Sequence, residues 1–170
     1  VQTGIGRTGK LYAYEHYDIE PDIFTLAKGL ANGVPVGAML AKSSLGAAFS
    51  YGSHGSTFGG NKLAMAAAKA TLEVMLAPGF LDTALENGNK LQEQLQAALS
   101  DKETVTTVRG LGSMIGIETT GNLGELILSA RDKGLIVLTA GTNVIRLLPS
   151  ITLSDTEIEK GVAILSEIFD

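Results

Sequence analysis

The 170-residue sequence contains no cysteine, and this absence removes several kinds of site at once. A disulfide framework, a thiolate metal ligand and a cysteine nucleophile are all excluded. Histidine is almost as scarce, and two residues of this type cannot by themselves build a zinc site. We therefore expect no metal centre in this chain.

Basic residues are also fewer than acidic ones. The sequence has 13 Lys and Arg against 18 Asp and Glu, which gives a formal net charge of −5. Binding to nucleic acid through its phosphates needs a basic face, so we expect no nucleic-acid partner. Gly, Pro, Lys or Ser interrupts each apolar run, so no membrane span is predicted. Apolar residues still make up 45% of the chain, which allows a buried core and excludes wholesale disorder.

A glycine-rich segment stands at the start of the chain. Residues 4–9, GIGRTG, match the G-x-G-x-x-G fingerprint of dinucleotide sites, which requires a strand before it and a helix after it. Residues 10–17 show no helical stripe of apolar side chains. A structured glycine loop is therefore the preferred interpretation, and a dinucleotide site is the alternative.

Residues 1–60 are predicted to form short strands and loops. Strands are expected at 23–26 and 36–41, and the second has no polar alternation, which predicts burial on both faces. Gly, Asn and Pro make 28–35 an irregular loop. Residues 61–76 have helical spacing behind the N-cap Asn61, and the helix ends at Pro78-Gly79, the predicted domain boundary.

Residues 79–170 are predicted to form a small α+β domain with a short sheet and helices on one face. Gly134 is expected at the C′ position of its middle helix, and Ser154 with Glu157 forms a capping box for its last helix. The predicted elements are helix 81–99, strands 104–108 and 113–118 across a turn at 109–112, helix 123–133, strands 135–138 and 144–148, and a helix from 155 to 169.

Three polar features could carry chemistry. Lys28 is flanked by apolar residues, and desolvation there would lower its pKa and favour attack on carbonyls; a solvated loop lysine is the alternative. The segment 52–61 is rich in Gly and hydroxyl residues and leads into a helix, which favours an anion such as phosphate, or else a flexible linker. Arg146 lies in an apolar strand and needs a carboxylate or phosphate partner, unless it reaches solvent at a sheet edge.

A lysine, a phosphate loop and a carboxylate clamp in this order resemble the class III pyridoxal-phosphate aminotransferases of fold type I. The segments that carry the resemblance are 1–10 (VQTGIGRTGK), 21–29 (PDIFTLAKG), 55–61 (GSTFGGN) and 144–149 (VIRLLP). Their order and spacing fit over the whole chain. The resemblance implies an α/β fold, with part of the large cofactor domain in 1–78 and the small C-terminal domain in 79–170.

The resemblance also implies a role for each site residue. Lys28 would hold pyridoxal 5′-phosphate covalently and afterwards move a proton between the substrate Cα and the cofactor C4′. Val1 would pack on the pyridine ring, and Gln2 would hydrogen-bond the ring hydroxyl. Thr57 would donate to the cofactor phosphate of the partner subunit of a homodimer, and Arg146 would hold a substrate carboxylate. The cofactor then supplies the electron sink, while the protein supplies orientation and charge.

The family's remaining cofactor contacts precede the position of Val1. They are an Asp that pairs with the pyridinium nitrogen, an aromatic residue that stacks on the ring, and a loop that makes most phosphate contacts. We therefore expect this chain to be the C-terminal half of such an enzyme and to lack useful catalysis on its own. We also expect residues 1–60 to be loosely ordered or paired with another copy, while 80–170 folds by itself.

The expected reaction is transfer of the terminal amino group of an acylated ornithine, first of all N-acetylornithine, to 2-oxoglutarate in cytoplasmic arginine biosynthesis. Ornithine, succinylornithine and γ-aminobutyrate are alternative amino donors, because enzymes that act on them share these motifs. A different class of function, a non-catalytic folding or dimerisation module, also remains open.

Overall fold

The computed structural model describes residues 1–170, and their packing separates two compact units. Unit 1 consists of Val1–Gly6 and Lys10–Phe80, and unit 2 consists of Arg7–Gly9 and Leu81–Asp170. The chain thus enters unit 2 for three residues near its start and then returns to unit 1. The assignment of 1–78 and 79–170 to a large and a small domain stays a prediction.

Unit 1 contains a two-stranded antiparallel sheet formed by β1 (Ile23–Leu26) and β2 (Ala38–Ala41). The strand predicted at 23–26 is confirmed, and the second strand is shorter than the predicted 36–41. The expectation that the second strand is buried on both faces is wrong, because Met39 and Leu40 are exposed. The two strands form a sheet of their own with no further strand beside them, and their exposed residues show that the sheet is not covered on both faces as a buried parallel sheet is.

Aromatic contacts fix the segment that follows the glycine-rich start. Tyr12 and Tyr14 each pack edge-on against Phe24 of β1, with ring centroids 5.1 and 5.6 Å away. A 3-10 helix, Ala13–His16, forms in this segment, and no α-helix begins directly after Gly9. The dinucleotide fingerprint therefore lacks the helix that its chemistry requires.

The segment between β1 and β2 is more ordered than predicted. A 3-10 helix, Lys28–Ala31, begins the region that the sequence indicated as an irregular loop, and the Asn32 backbone at its end is left-handed. Leu30 and Ala31 of this turn are buried. These apolar side chains explain the helical turn, because a loop extended into solvent would leave them exposed.

The helix α1 (Lys62–Met75) packs against the 3-10 helix Lys28–Ala31. Its small buried residues, Ala64 and Ala68, allow another backbone to approach closely. Asn61 caps the helix as predicted, because its Oδ1 accepts a hydrogen bond from the Ala64 N–H at 2.9 Å. A third 3-10 helix, Ser43–Ala48, precedes the loop that leads into α1.

Unit 2 contains a four-stranded antiparallel sheet with the spatial order β3-β4-β6-β5. The strands are β3 (Val105–Leu111), β4 (Met114–Thr119), β5 (Leu138–Ala140) and β6 (Val144–Leu147), and the helices are α2 (Phe80–Ala98), α3 (Leu123–Asp132) and α4 (Asp155–Ile168). Along β4 and β6 every second residue is buried. This alternation shows that one face of the sheet is covered and that the other is more open.

The core of unit 2 lies between the covered sheet face and the helices. Its buried members are Leu91, Leu95 and Leu99, Ile115 and Ile117, Ala130, Val137, Ile145 and Leu147, and Ile158, Val162, Leu165 and Phe169. The leucine stripe of α2 and the apolar stripe of α4 were both predicted from helical spacing, and both are confirmed. The α+β arrangement with helices on one sheet face therefore follows from the periodicity of the sequence.

Two boundaries in unit 2 differ from prediction. The turn expected at 109–112 is a two-residue turn, Gly112-Ser113, because Leu111 pairs with Met114. The strand expected at 135–138 begins only at Leu138. The Leu135 N–H is bonded to the Ala130 carbonyl at 2.8 Å, and Gly134 is left-handed, which completes the predicted helix C-terminal motif and delays the strand.

The capping box predicted at the start of α4 is present. Ser154 Oγ accepts from the Glu157 N–H, and the Glu157 carboxylate accepts from the Ser154 N–H. The hydrogen bond from the Ser154 backbone N–H to the Glu157 carboxylate lowers the pKa of Glu157.

By length and composition no single helix could cross a membrane, although α1 and α2 taken as a bent pair would pass that test.

Two helical glycines of unit 2 offer a matched test of this packing. A Cβ at Gly88 of α2 would lie 2.2 Å from the Gly112 carbonyl carbon, whereas a Cβ at Gly161 of α4 would meet nothing within 4 Å. We expect Gly88→Ala to lower the free energy of unfolding by about 2 kcal/mol or more. Gly161→Ala is expected to raise it by about 1 kcal/mol. Urea unfolding of the two variants measures both, and equal effects would contradict the close approach at Gly112.

Candidate functional site

Lys28 lies at the junction of β1 and the 3-10 helix Lys28–Ala31. Its φ of 49° is in the left-handed region, which long side chains rarely occupy because Cβ approaches the carbonyl oxygen too closely. Three residues other than glycine have a positive φ in this chain, and Lys28 is one of them. Strained backbone of this kind concentrates at functional sites, where the surrounding structure holds it.

A second strained residue packs beside Lys28. Ile5 has a φ of 51° although it is β-branched, and its side chain is buried. A Cβ built on Gly29 would lie 3.5 Å from both Cβ and Cγ2 of Ile5. The glycine-rich segment at the start of the chain and the lysine segment are therefore in contact, which the sequence did not indicate.

The side chain of Lys28 is exposed in this chain. The expectation that apolar neighbours desolvate it is wrong for these 170 residues, because the adjacent sheet is itself open. Thr25 of β1 and Met39 of β2 are both exposed. What distinguishes Lys28 is its backbone conformation and not its burial.

Thr57 is exposed in the turns that lead into α1. In these turns the Gly59 N–H donates to the Ser56 carbonyl at 3.2 Å, and the Asn61 side-chain amide donates to the Phe58 carbonyl at 2.9 Å. The loop is thus a series of hydrogen-bonded turns, which does not support the alternative of a flexible linker. Its hydroxyls and the N-terminal amides of α1 are groups that bind anions.

Val1 and Gln2 precede the strained Ile5 in the same segment of unit 1. Val1 is about half exposed, at 47%, and Gln2 is partly buried. Because Ile5 packs on Gly29, the start of the chain is anchored next to the residue that follows Lys28. Val1, Gln2, Lys28 and Thr57 all belong to unit 1, whereas Arg146 belongs to unit 2.

Arg146 lies on the more open face of the unit 2 sheet. Its neighbours Ile145 and Leu147 are buried against the helices, so the Arg146 side chain projects from the opposite face. Its strand, β6, pairs with β4 on one side and β5 on the other. The alternative of an arginine at a sheet edge is therefore wrong.

Gly116 of β4 lies directly opposite Arg146, and Arg109 of β3 lies opposite Gly116. Cross-strand partners share one sheet face, so the two arginines flank a residue without a side chain. Arg146 is half-buried, and its Nε is buried. The sheet holds a guanidinium at a defined position on the open face, which suits recognition of a carboxylate.

The family described as "Aminotransferase class-III" matches residues 1–169 of this sequence. The chain belongs to the class III aminotransferases. The segments predicted to carry the site, around Lys28, Thr57 and Arg146, all lie inside the matched region.

Relatives and solved structures of this aminotransferase family agree with the assignment. The acetylornithine aminotransferase of Streptococcus mutans is 69% identical over all 170 residues, which make up 45% of that protein. The structure of a Plasmodium yoelii ornithine aminotransferase matches with a TM-score of 0.92 at 33% identity, and this chain covers 47% of its length. The acetylornithine aminotransferase structure from Elizabethkingia anophelis has a TM-score of 0.91 at 35% identity and is covered to 44%.

The chain spans less than half the length of the curated relatives it matches. The matches to the two solved aminotransferases include 99% or more of this chain. The α/β fold class predicted from the resemblance is therefore confirmed. The residue roles implied by the resemblance are not tested by these comparisons and stay predictions.

Two residues of this aminotransferase chain were missed by reasoning from the sequence. Ile5 carries no signal, because β-branched residues seldom adopt a positive φ. Arg7 was treated only as part of a glycine loop, although its guanidinium donates hydrogen bonds to the carbonyls of Ser113 and Pro149. A charged residue between glycines was the available signal.

The strained backbone of Lys28 can be tested by two matched substitutions. We expect Lys28→Gly to be more stable than Lys28→Ala by about 1 kcal/mol, because glycine adopts a φ of 49° without a Cβ clash. At Lys42, where φ is −59°, the order should reverse by about 0.5 kcal/mol.

Denaturant unfolding of the four variants measures these differences. If alanine is more stable than glycine at both positions, the left-handed conformation of Lys28 is contradicted.

Proposed function

We propose that this chain supplies the lysine-bearing and carboxylate-binding half of a pyridoxal-phosphate aminotransferase. The reaction proposed is transfer of the terminal amino group of N-acetylornithine to 2-oxoglutarate. The observation that carries the proposal is the strained Lys28, which lies at the end of β1 and is followed by the contact between Gly29 and Ile5. Family membership supplies the reaction class.

The residues present fit the groups of the cofactor. Pyridoxal phosphate carries an aldehyde, a pyridine ring with a hydroxyl, and a phosphate. Lys28 offers an exposed primary amine, Gln2 a side-chain amide, and Val1 an apolar surface. Thr57 offers a hydroxyl in the turns that lead into α1, whose N-terminal amides favour an anion. When bound, the cofactor supplies the electron sink that stabilises negative charge on the reacting carbon.

Lys28 acts as the anchor and the proton carrier in this proposal. Its Nζ would hold the cofactor through a covalent link, and once released the same nitrogen would take the proton from the carbon that bears the transferred amino group. To hold the cofactor and also take the proton, the Lys28 side chain has to start from a fixed backbone position. The left-handed turn, supported by buried Leu30 and Ala31 on one side and Ile5 on the other, provides that constraint.

Arg146 is proposed to orient the substrate. A guanidinium binds a carboxylate through paired N–H groups, which fixes direction as well as charge. Both the amino donor and the acceptor of the proposed reaction carry a carboxylate. Because Arg146 is held in an interior strand, its position depends on the sheet and not on a mobile loop.

The choice of amino donor depends on the relatives. The chain is 69% identical to the acetylornithine aminotransferase of Streptococcus mutans and 33% identical to the ornithine aminotransferase of Plasmodium yoelii. We therefore place N-acetylornithine first and ornithine second. A direct comparison of the two amines as donors distinguishes them.

Large exposed apolar side chains concentrate in unit 1, and this supports pairing with a second copy. Unit 1 holds 13 of the 17 that are exposed, and Tyr51, Phe58 and Leu63 are among the most exposed of them. Large apolar side chains left exposed in this number favour burial against another protein surface. We propose a cytoplasmic homodimer in which Thr57 of one subunit contacts the cofactor phosphate of the other.

The proposal can be tested on a fusion of this chain to the part of the Streptococcus mutans relative that precedes the matched region. We expect the fusion to transfer the amino group of N-acetylornithine to 2-oxoglutarate. Lys28→Ala should lower kcat by about 10³-fold or more, because the proton carrier is lost.

Lys42→Ala is the matched control, because Lys42 lies in the same unit and pairs with Asp22 at 3.0 Å. Its activity should stay within about twofold of the unsubstituted fusion, as is usual for a solvent-exposed ion pair. An active Lys28→Ala fusion would refute the proposed function.

A further inference from the structure

Arg7 is bonded into unit 2 although its neighbours in sequence belong to unit 1. Its Nη1 donates one hydrogen bond to the Ser113 carbonyl at 3.2 Å and another to the Pro149 carbonyl. The Ser113 N–H in turn donates to the Arg7 carbonyl at 3.0 Å. A residue near the start of the chain is thus tied by side chain and backbone to positions more than a hundred residues away.

The two carbonyls that Arg7 binds lie at the same end of the β4–β6 ladder. Ile115 pairs with Leu147 in the antiparallel register, so Ser113 and Pro149 are the next residues that would lie opposite each other on that face. Pro149 has no N–H, so it cannot donate a backbone hydrogen bond that would extend the ladder. The Arg7 guanidinium donates to both strands at the point where their own pairing stops.

The close packing around this contact leaves little freedom for Arg7. Gly112 has a φ of 54°, and a Cβ there would lie 2.7 Å from the Thr8 carbonyl carbon. A Cβ on Gly9 would lie 2.6 Å from Cβ of Leu85. Thr8 itself is buried. The segment Arg7–Gly9 therefore fits only because glycines at positions 9 and 112 permit its close approach, and this packing holds the backbone from which the Arg7 side chain extends.

The charge of Arg7 is satisfied by backbone dipoles. Both acceptors of Nη1 are carbonyl oxygens, and burial lowers the pKa of the Arg7 guanidinium from its ordinary value. Hydrogen bonds from a charged donor are stronger than those between neutral groups, so the contact is well suited to hold two strand ends together.

The same two strands carry the proposed carboxylate-binding residue. Arg146 lies directly opposite Gly116, and each is three positions from a carbonyl that Arg7 binds, at Pro149 and Ser113 respectively. At the rise of an extended strand, three residues correspond to about 10 Å. The separation and twist of β4 and β6 at this end thus influence where the Arg146 guanidinium lies.

We propose that Arg7 is a positioning residue for Arg146, which sets the orientation of the substrate carboxylate by holding the ends of β4 and β6 together. The inference rests on the proposed function for the role of Arg146, but the effect of Arg7 on the two strands is independent of it. Two measurements therefore separate the two statements.

The first measurement uses the 170-residue chain and hydrogen exchange of its amides. Arg7→Met removes both side-chain hydrogen bonds, and we expect amides of β4 and β6 near Ser113 and Pro149 to exchange about tenfold faster or more. Arg131→Met is the matched control, because Arg131 is exposed on α3 and pairs with Asp132. Exchange in β4 and β6 that is unchanged by Arg7→Met would overturn the proposal.

The second measurement is a double-mutant cycle in the fusion with the Streptococcus mutans part. Arg7→Met is expected to raise KM for 2-oxoglutarate about tenfold or more, with a smaller change in kcat. In a background with Arg146→Met the same substitution should have little further effect, because both changes act on one contact. Arg7→Lys, which keeps the charge on a chain one atom shorter, should give an intermediate KM.

Each outcome has a defined meaning. Faster exchange together with a non-additive cycle supports the positioning role. Faster exchange with additive KM effects, or with a change in thermal stability alone, reduces Arg7 to a structural contact and overturns the proposal. Faster exchange in the 170-residue chain, together with a fusion that has no aminotransferase activity, refutes the proposed function and confines Arg7 to holding the strand ends.

Discussion

The backbone turns left-handed at Lys28, directly after β1 ends, and the arrangement of unit 1 follows from that turn. The turn directs the chain into a short 3-10 helix whose buried side, Leu30 and Ala31, meets α1. Gly29 then lies beside Ile5, which is itself held at a positive φ. Two energetically unfavourable conformations in contact are retained only when packing or function requires them, and here they adjoin the amine that is proposed to hold the cofactor.

In unit 2 the main constraint is the position of the Arg146 guanidinium on the sheet. A covered sheet face supplies the core, and the more open face presents Arg146 opposite a glycine. Because strands of a sheet are coupled through their register, a side chain on β6 is positioned by the pairing of β4 as well. The contact of Arg7 with Ser113 and Pro149 extends that coupling beyond the last paired residues.

Features that depend on local periodicity were predictable from the sequence. The helices, the capping box at Ser154 and the C-terminal glycine of α3 follow from spacing and propensity. Features that depend on long-range contacts were not: the exposure of β2 and the insertion of Arg7–Gly9 into unit 2 require knowledge of what packs where. Lys28 was predicted from its motif and its apolar neighbours. The structure distinguishes it by its left-handed backbone, which the identity of the residue does not predict.

Covalent trapping of the cofactor tests the central claim about Lys28 most directly. The fusion is incubated with pyridoxal phosphate, reduced with borohydride and digested, and the modified peptides are mapped. The account predicts one dominant label, on Lys28, that is lost when an unreactive cofactor analogue competes. A label distributed equally over exposed lysines such as Lys10 and Lys62, or a label absent from Lys28, would contradict it.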